Sequence, residues 1–270
     1  MYEVLLPRAR PGVTGPPAPR ATGWHDEDVT ATDRMPPGVT RVRAQNPSPL
    51  TLDGTNTYVA GGWVVDPGPA DEAHLEAVAR AAAGAEGIVL THGHGDHADA
   101  APELARRLGG VEVVRPSGDG EVGPFSTIAT PGHSPDHVCL LLGTTLFSGD
   151  TVLGAGSVFV APGEGSMSAY LDSLRRLMEL EIGTICPGHG PVVDEPQAKL
   201  REYLEHRLER EQALLDALER GLRTHDELLD AAWSDVPAEL RYPARITLEA
   251  HLEKLADEGR LPAGVGDEGG

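Results

Sequence analysis

The stretch Thr91-His92-Gly93-His94-Gly95-Asp96-His97 puts three imidazoles and one carboxylate on a single short turn. Neutral imidazoles and carboxylates are the donors that zinc, iron and manganese accept. The two glycines let the chain bend sharply. The alternating His92 and His94 are expected to face one ion, and Asp96 and His97 a second. A solvated, His-rich loop is the plain alternative. The placement directly after the apolar run GIVLT argues against it, because a buried strand delivers the turn to one fixed point.

Three more polar groups recur in similar settings: His133 in ATPGHSPDH, Asp150 in LFSGD and His189 in ICPGHGP. Each follows apolar residues and lies beside a glycine, as a side chain presented from the edge of a sheet would. With the first cluster they make five histidines and two aspartates, enough for two four-donor sites if Asp150 bridges. Asp66 in WVVDPG, and Asn56 and Thr57 in GTNTY, are candidates to support the site or approach the substrate, although turn chemistry accounts for Asp66 and Asn56 equally well. His137 reads as structural, and His25, His74, His225 and His251 as solvated.

The elements that must position these groups follow from the hydrophobic pattern. Residues 1–36 are rich in Pro and Gly and read as an irregular arm. Residues 37–198 alternate strands and helices and read as one catalytic α/β domain. VTRVRA, TYVA, WVVD, GIVLT, VEVV, FSTIAT, HVCLLL, TTLFSGD and EIGTIC are β-prone, with helices expected over 71–83, 98–108 and 168–180. Apolar residues at helical spacing predict a linking helix over 199–221. Residues 222–264 read as a small helical, winged-helix-like domain with a capping signature at Thr224 and Glu227, and 265–270 as a tail.

Composition narrows the partners. A formal charge of −20 opposes association with a polyanion. Across 240–258 the basic Arg241, Arg245 and Lys254 are outweighed by Glu249, Glu253, Asp257 and Glu258, so duplex DNA is disfavoured. Cys139 and Cys186 both lie in apolar runs and read as buried thiols. The chain carries neither a run of roughly 18 apolar residues nor a signal-peptide core, so the expectation is a cytoplasmic protein with no membrane segment.

In order along the chain, HxHxDH, PGHS, SGD and PGHG resemble the metallo-beta-lactamase superfamily. The resemblance implies an αββα sandwich with His92, His94 and His133 on one divalent ion, Asp96, His97 and His189 on another, and Asp150 bridging. Asp66 would support the site, and Asp96 would orient the attacking hydroxide. Zn2+ is the default ion, with Mn2+ or Fe2+ compatible with the same donors. Two such ions lower the pKa of a shared water from about 15.7 towards about 7, so no Ser or Cys nucleophile is required.

NPSPLTLDGTNTYV, VFVAP, YLEHRLERE and the helical tail are similar to the beta-lactamase-like protein 2 group over residues 44–262. His206 and Arg207 match the HR pair of that group and are substrate-side candidates. Fungal members of the group are thioesterases, and an animal mitochondrial member is a single-strand endoribonuclease. The chain departs from other branches. Persulfide dioxygenases lack the second set of donors, and thiol-ligated zinc beta-lactamases carry Cys where Asp150 stands. The resemblance therefore implies hydrolysis of an ester, thioester or similar carbonyl compound. Cleavage of single-stranded RNA is the second reading, and a tail acting as a protein-interaction or nucleic-acid-binding module is the third.

Overall fold

The computed structural model describes residues 31–32 and 34–266. Two sheets face each other. The first has the order β2 (Val39–Arg43), β3 (Asn56–Ala60), β4 (Trp63–Val65), β5 (Gly87–Val89), β6 (Glu112–Val114). The second has the order β1 (Ala31–Thr32), β12 (Val192–Val193), β11 (Thr184–Pro187), β10 (Thr145–Gly149), β9 (Val138–Leu142), β8 (Phe125–Ala129), β7 (Gly120–Val122). The pair β1–β12 begins within the segment expected to be an irregular arm, because backbone pairing with Val192 and Val193 extends the sheet.

The period-two alternation of the strands builds the layers. Trp63 and Val65 of β4 enter the core between the sheets, whereas Val64 between them joins the outer core under α1 (Glu72–Ala81) and α3 (Ala101–Arg107). On the other sheet Val138, Leu140 and Phe147 face inward. Cys139 and Leu146 face outward to α4 (Met167–Met178), which presents Leu171, Leu174 and Leu177. These layers make the expected αββα sandwich. Cys139 and Cys186 are free and buried on opposite faces of that second sheet, and burial pushes their thiols up to about 11 and about 12.

The single helix expected over 98–108 is two, α2 (Gly95–Ala98) and α3, the second restarting with Pro102 in its first turn. Proline supplies no amide hydrogen to continue the first helix but is tolerated at the start of the next. The linking helix α5 (Pro196–Glu219) serves two cores: Leu200 and Tyr203 pack under the second sheet, and Leu214, Ala217 and Leu218 pack against α6 (His225–Ala232) and α7 (Arg241–Asp257). Thr224 and Glu227 form the expected reciprocal capping box of α6. Helix α7 begins five residues before the expected ITLEAH run.

His74 and His251, expected to be solvated, are both buried. His74 Nε2 meets Thr57 Oγ1 at 3.0 Å, and His251 packs edge-on to Trp233. Their helices turn these positions inward, which single-residue polarity does not reveal. His225 is half-buried, and His25 lies outside the described residues.

The sheets are stitched together where β3 meets the end of β11. The Asn56 side chain donates to the carbonyls of Pro187 (3.0 Å) and Gly190 (2.8 Å), its backbone N–H donates to Gly188 O (2.7 Å), and Tyr58 Oη donates to Pro187 O (2.9 Å). Asn56 is therefore a buried brace between the sheets. Asn56→Ala strands the Gly190 carbonyl, while Pro187 O keeps Tyr58 Oη, and is expected to lower unfolding stability by about 1–3 kcal/mol. Urea unfolding measures this, and a change below about 0.5 kcal/mol would show that the amide does not hold the sheets.

Candidate metal centre

All seven predicted side chains meet at one end of the sandwich. Asp66, His92, His133, Asp150 and His189 follow β4, β5, β8, β10 and β11, and β4–β5 and β10–β11 are parallel pairs, so these strands deliver their ends to a common edge. His94 caps and Asp96 and His97 occupy the short α2 that follows β5.

The donors form two groups. In the first, His92 Nε2 and His133 Nε2 lie 3.1 and 2.9 Å from His94 Nδ1, with Asp150 Oδ2 3.6 Å from His133 Nε2. In the second, His189 Nε2 lies 3.3 Å from His97 Nε2 and 3.3 Å from Asp96 Oδ2. Asp150 Oδ1 turns to this second group, 3.4 Å from His97 Nε2 and 3.5 Å from His189 Nε2. One carboxylate thus presents one oxygen to each group.

The outer ring nitrogens fix which lone pairs point inward. His133 Nδ1 donates to Phe159 O (2.7 Å), His97 Nδ1 to Asp66 Oδ2 (2.9 Å) and His189 Nδ1 to Gly54 O (3.4 Å). Thr91 Oγ1 donates to Asp66 Oδ2 (2.7 Å) and so accepts from His92 Nδ1 at 3.0 Å. In their neutral forms His92, His97, His133 and His189 would each turn a bare Nε2 inward, and His94 presents its Nδ1. Lone pairs about 3 Å apart repel unless a cation lies between them. A tetrahedral ion with nitrogens at 2.0–2.1 Å sets them roughly 3.3 Å apart. The observed spacings bracket that value, and Asp150 Oδ1 is buried with no hydrogen-bond partner. The donor set fits two divalent cations.

The charges agree with two kinds of half-site. Burial, then the neighbouring His97, pushes His92 well below its ordinary value, and burial, then His133, lowers His94. Both are neutral donors. Burial also opposes charge on His97 and His189, but the nearby Asp150 carboxylate outweighs it, raising His97 well above its usual range and His189 to about 9.

Asp66 forms a turn and holds the neighbouring groups by hydrogen bonds. Its φ of 48° lies in the left-handed region that aspartate tolerates, which makes the turn. Its carboxylate also accepts from Thr91 N (2.8 Å), Thr91 Oγ1 and His97 Nδ1. Thr57 is buried and donates to Asp66 O (2.7 Å), so it braces that turn. Arg207 is also buried, over the ring of Tyr170, and His206 accepts from Arg210 Nε at 3.0 Å, so neither of the HR pair reaches the metal-facing cluster.

Two supports were not singled out from the sequence. Thr91 couples His92 to Asp66; its position just before the His-rich turn was the available signal. His137, read only as structural, accepts the backbone N–H of Asp150 through Nε2 at 3.1 Å, and burial, then His133, pushes it down to about 3, so it stays a neutral acceptor. Gly188 is required by closeness: a Cβ there would lie 2.6 Å from both Asp150 Oδ1 and His97 Cε1.

Residues 50–125 and 109–189 match the family described as Metallo-beta-lactamase superfamily. The chain belongs to that superfamily. Residues 224–262 match the beta-lactamase associated winged helix domain; among the described residues this region contains α6 and α7 and no strand.

Among its relatives is the beta-lactamase-like protein 2 homolog of Caenorhabditis elegans, 32% identical over 264 residues, 86% of this chain and 88% of that protein. Another is the atrochrysone carboxyl ACP thioesterase of Aspergillus fumigatus, 33% identical over 267 residues, 89% of this chain and 79% of that one. The crystal structure of a metallo-beta-lactamase family protein from Thermus thermophilus shares the fold, with TM-score 0.63, 23% identity, and coverage of 83% of this chain and 94% of that chain.

The raised His189 gives a pH signature for chelator-stripped protein. A histidine held charged by folding contributes its full stability below its unfolded pKa of about 6.5 and loses it as the pH rises through about 9. Stripped protein is expected to lose on the order of 3 kcal/mol across that window. Flat denaturant midpoints from pH 6.5 to about 9 would rule out the Asp150–His189 attraction as drawn.

Proposed function

We propose that this member of the superfamily is a binuclear metal-dependent hydrolase acting on an ester, thioester or similar carbonyl substrate. His92, His94 and His133 would hold one ion, Asp96, His97 and His189 the other, and Asp150 would serve both. The observation that carries this reading is the split of Asp150, with Oδ2 towards His133 and Oδ1 towards His97 and His189. Bound divalent ions, zinc by the chemistry of the donors, with manganese or iron compatible, supply Lewis acidity and a water acidic enough to attack at neutral pH.

The protein's own residues do the rest. His137 fixes the backbone of Asp150, and Asp66 keeps a His97 proton on Nδ1 so that Nε2 can serve as a donor. Asp96, whose side chain is 30% exposed, is the catalytic residue: its carboxylate reaches the open side of the cluster, where it orients the attacking water and accepts its proton. No side-chain nucleophile is needed, and both cysteines are buried.

Two observations favour an acyl substrate over RNA. A relative covering most of the chain is named an ACP thioesterase. The basic residues of α7 are also neutralised locally: Arg245 pairs with Asp226 at 3.3 Å, Lys254 with Glu211 and Glu258 at 2.7 Å each, and Arg241 with Asp230. That leaves no basic track for a polyanion on that helix.

Purified protein supplied with zinc or manganese is expected to hydrolyse acyl-thioester substrates, and Asp150→Ala to reduce turnover by at least about 100-fold. Cutting of labelled single-stranded RNA with no thioester turnover would reverse the substrate assignment. Asp66→Asn is expected to lower bound metal from about two equivalents towards one by releasing the His97 ring, as loss of such partners typically costs about 10–100-fold in affinity. Unchanged content by elemental analysis would remove Asp66 from the account.

A further inference from the structure

Between β10 and α4 the chain passes through 151–159 without helix or strand. Its buried backbone groups must find partners elsewhere. This segment touches the metal-facing residues at three points. It begins directly after Asp150, Gly154 N donates to His189 O (3.0 Å), and Phe159 O accepts from His133 Nδ1.

Two helices on the outer face of the second sheet fasten it. From α4, Tyr170 Oη donates to Thr151 O at 2.7 Å. From α5, Tyr203 Oη donates to Gly156 O (2.8 Å) and accepts from Leu153 N (3.2 Å), and the Arg207 guanidinium donates to Val158 O. Arg207 is 2% exposed, its nearest aromatic face is Tyr170 at 5.5 Å, and among the described residues no carboxylate forms an ion pair with it. Burying a cation without an anion is disfavoured, and an apolar side chain of similar size would pack there more readily. The position makes sense through what the guanidinium grips: the carbonyl it holds belongs to the residue before Phe159.

We propose that Arg207 and Tyr203 are positioning residues for the metal centre. By fixing 151–159 they hold the Phe159 carbonyl on His133, which keeps that ring in the tautomer with a bare Nε2, and they hold Gly154 against the His189 backbone. The helix leading into the C-terminal domain thereby sets how tightly metal is retained. The proposal rests on the metal assignment above.

The test titrates full-length, chelator-stripped protein with cobalt(II), followed by its visible absorption and by competition with a chelator, in parallel with thermal unfolding of the stripped forms. Arg207→Met and Tyr203→Phe are each expected to bind cobalt about 10–100-fold more weakly than wild type. Arg210→Met, on the same helix but bonded to Asp235 instead, is expected to match wild type. Affinities of both variants within about two-fold of wild type, with only the stripped proteins melting earlier, would reduce the clamp to a packing role and overturn the proposal. Tyr203→Phe loses one oxygen and decides the matter alone if Arg207→Met does not fold. Wild-type protein that takes up no cobalt defeats the metal assignment itself, and this proposal with it.

Discussion

Five imidazoles and two carboxylates drawn from both sheets point their ring nitrogens and oxygens at one another within about hydrogen-bonding distance, and the surrounding structure is arranged to tolerate this. Without a cation, His92 and His94 are neutral, His97 and His189 are held charged 3.3 Å apart by Asp150, and Asp150 Oδ1 is buried without a hydrogen-bond donor. Such an arrangement persists only when neighbours over-determine it. Asp66, Thr91, Gly54 O and Phe159 O each hold the outer nitrogen of a ring, and His137 fixes the backbone of Asp150. A cation turns the same arrangement from repulsive to attractive.

The sandwich supplies this convergence because strand ends carry the donors and the sheets are locked where those ends meet. Asn56 and Tyr58 on the first sheet bond to carbonyls flanking His189 on the second, so the half-sites cannot slide apart without stranding buried acceptors. Helix α5 adds a second link, since it is shared between the outer core of the catalytic sandwich and the core of α6 and α7. The C-terminal module is thus continuous with the wall behind the metal-facing residues.

Charge is managed locally throughout. The net charge is −20, yet the cations of α7 are closely paired, with Glu211 beside it meeting both Lys254 and Arg260. A winged-helix module whose helix cations are already neutralised suits packing within the chain better than grip on a phosphate backbone. Arg207 is the exception that shows the rule, because its guanidinium is spent on a backbone carbonyl next to the site.

The sequence by itself determined the donors and the order of the layers. HxHxDH, PGHS, SGD and PGHG each follow apolar runs, and period-two and helical patterns are local properties that survive without knowledge of neighbours. Tertiary structure decided which supporting residues matter. His74 and His251 looked solvated and are buried, and Arg207, a substrate-side candidate, lies buried over Tyr170 and donates to the Val158 carbonyl. Asn56 looked like a turn residue and proved to be a stitch between sheets. Phe159 contributes through a carbonyl that any residue would carry, so its side chain gave no signal. The physical reason is the same in each case: a donor is recognised by its own chemistry, whereas a support is defined by what stands opposite it, and only the folded chain sets that.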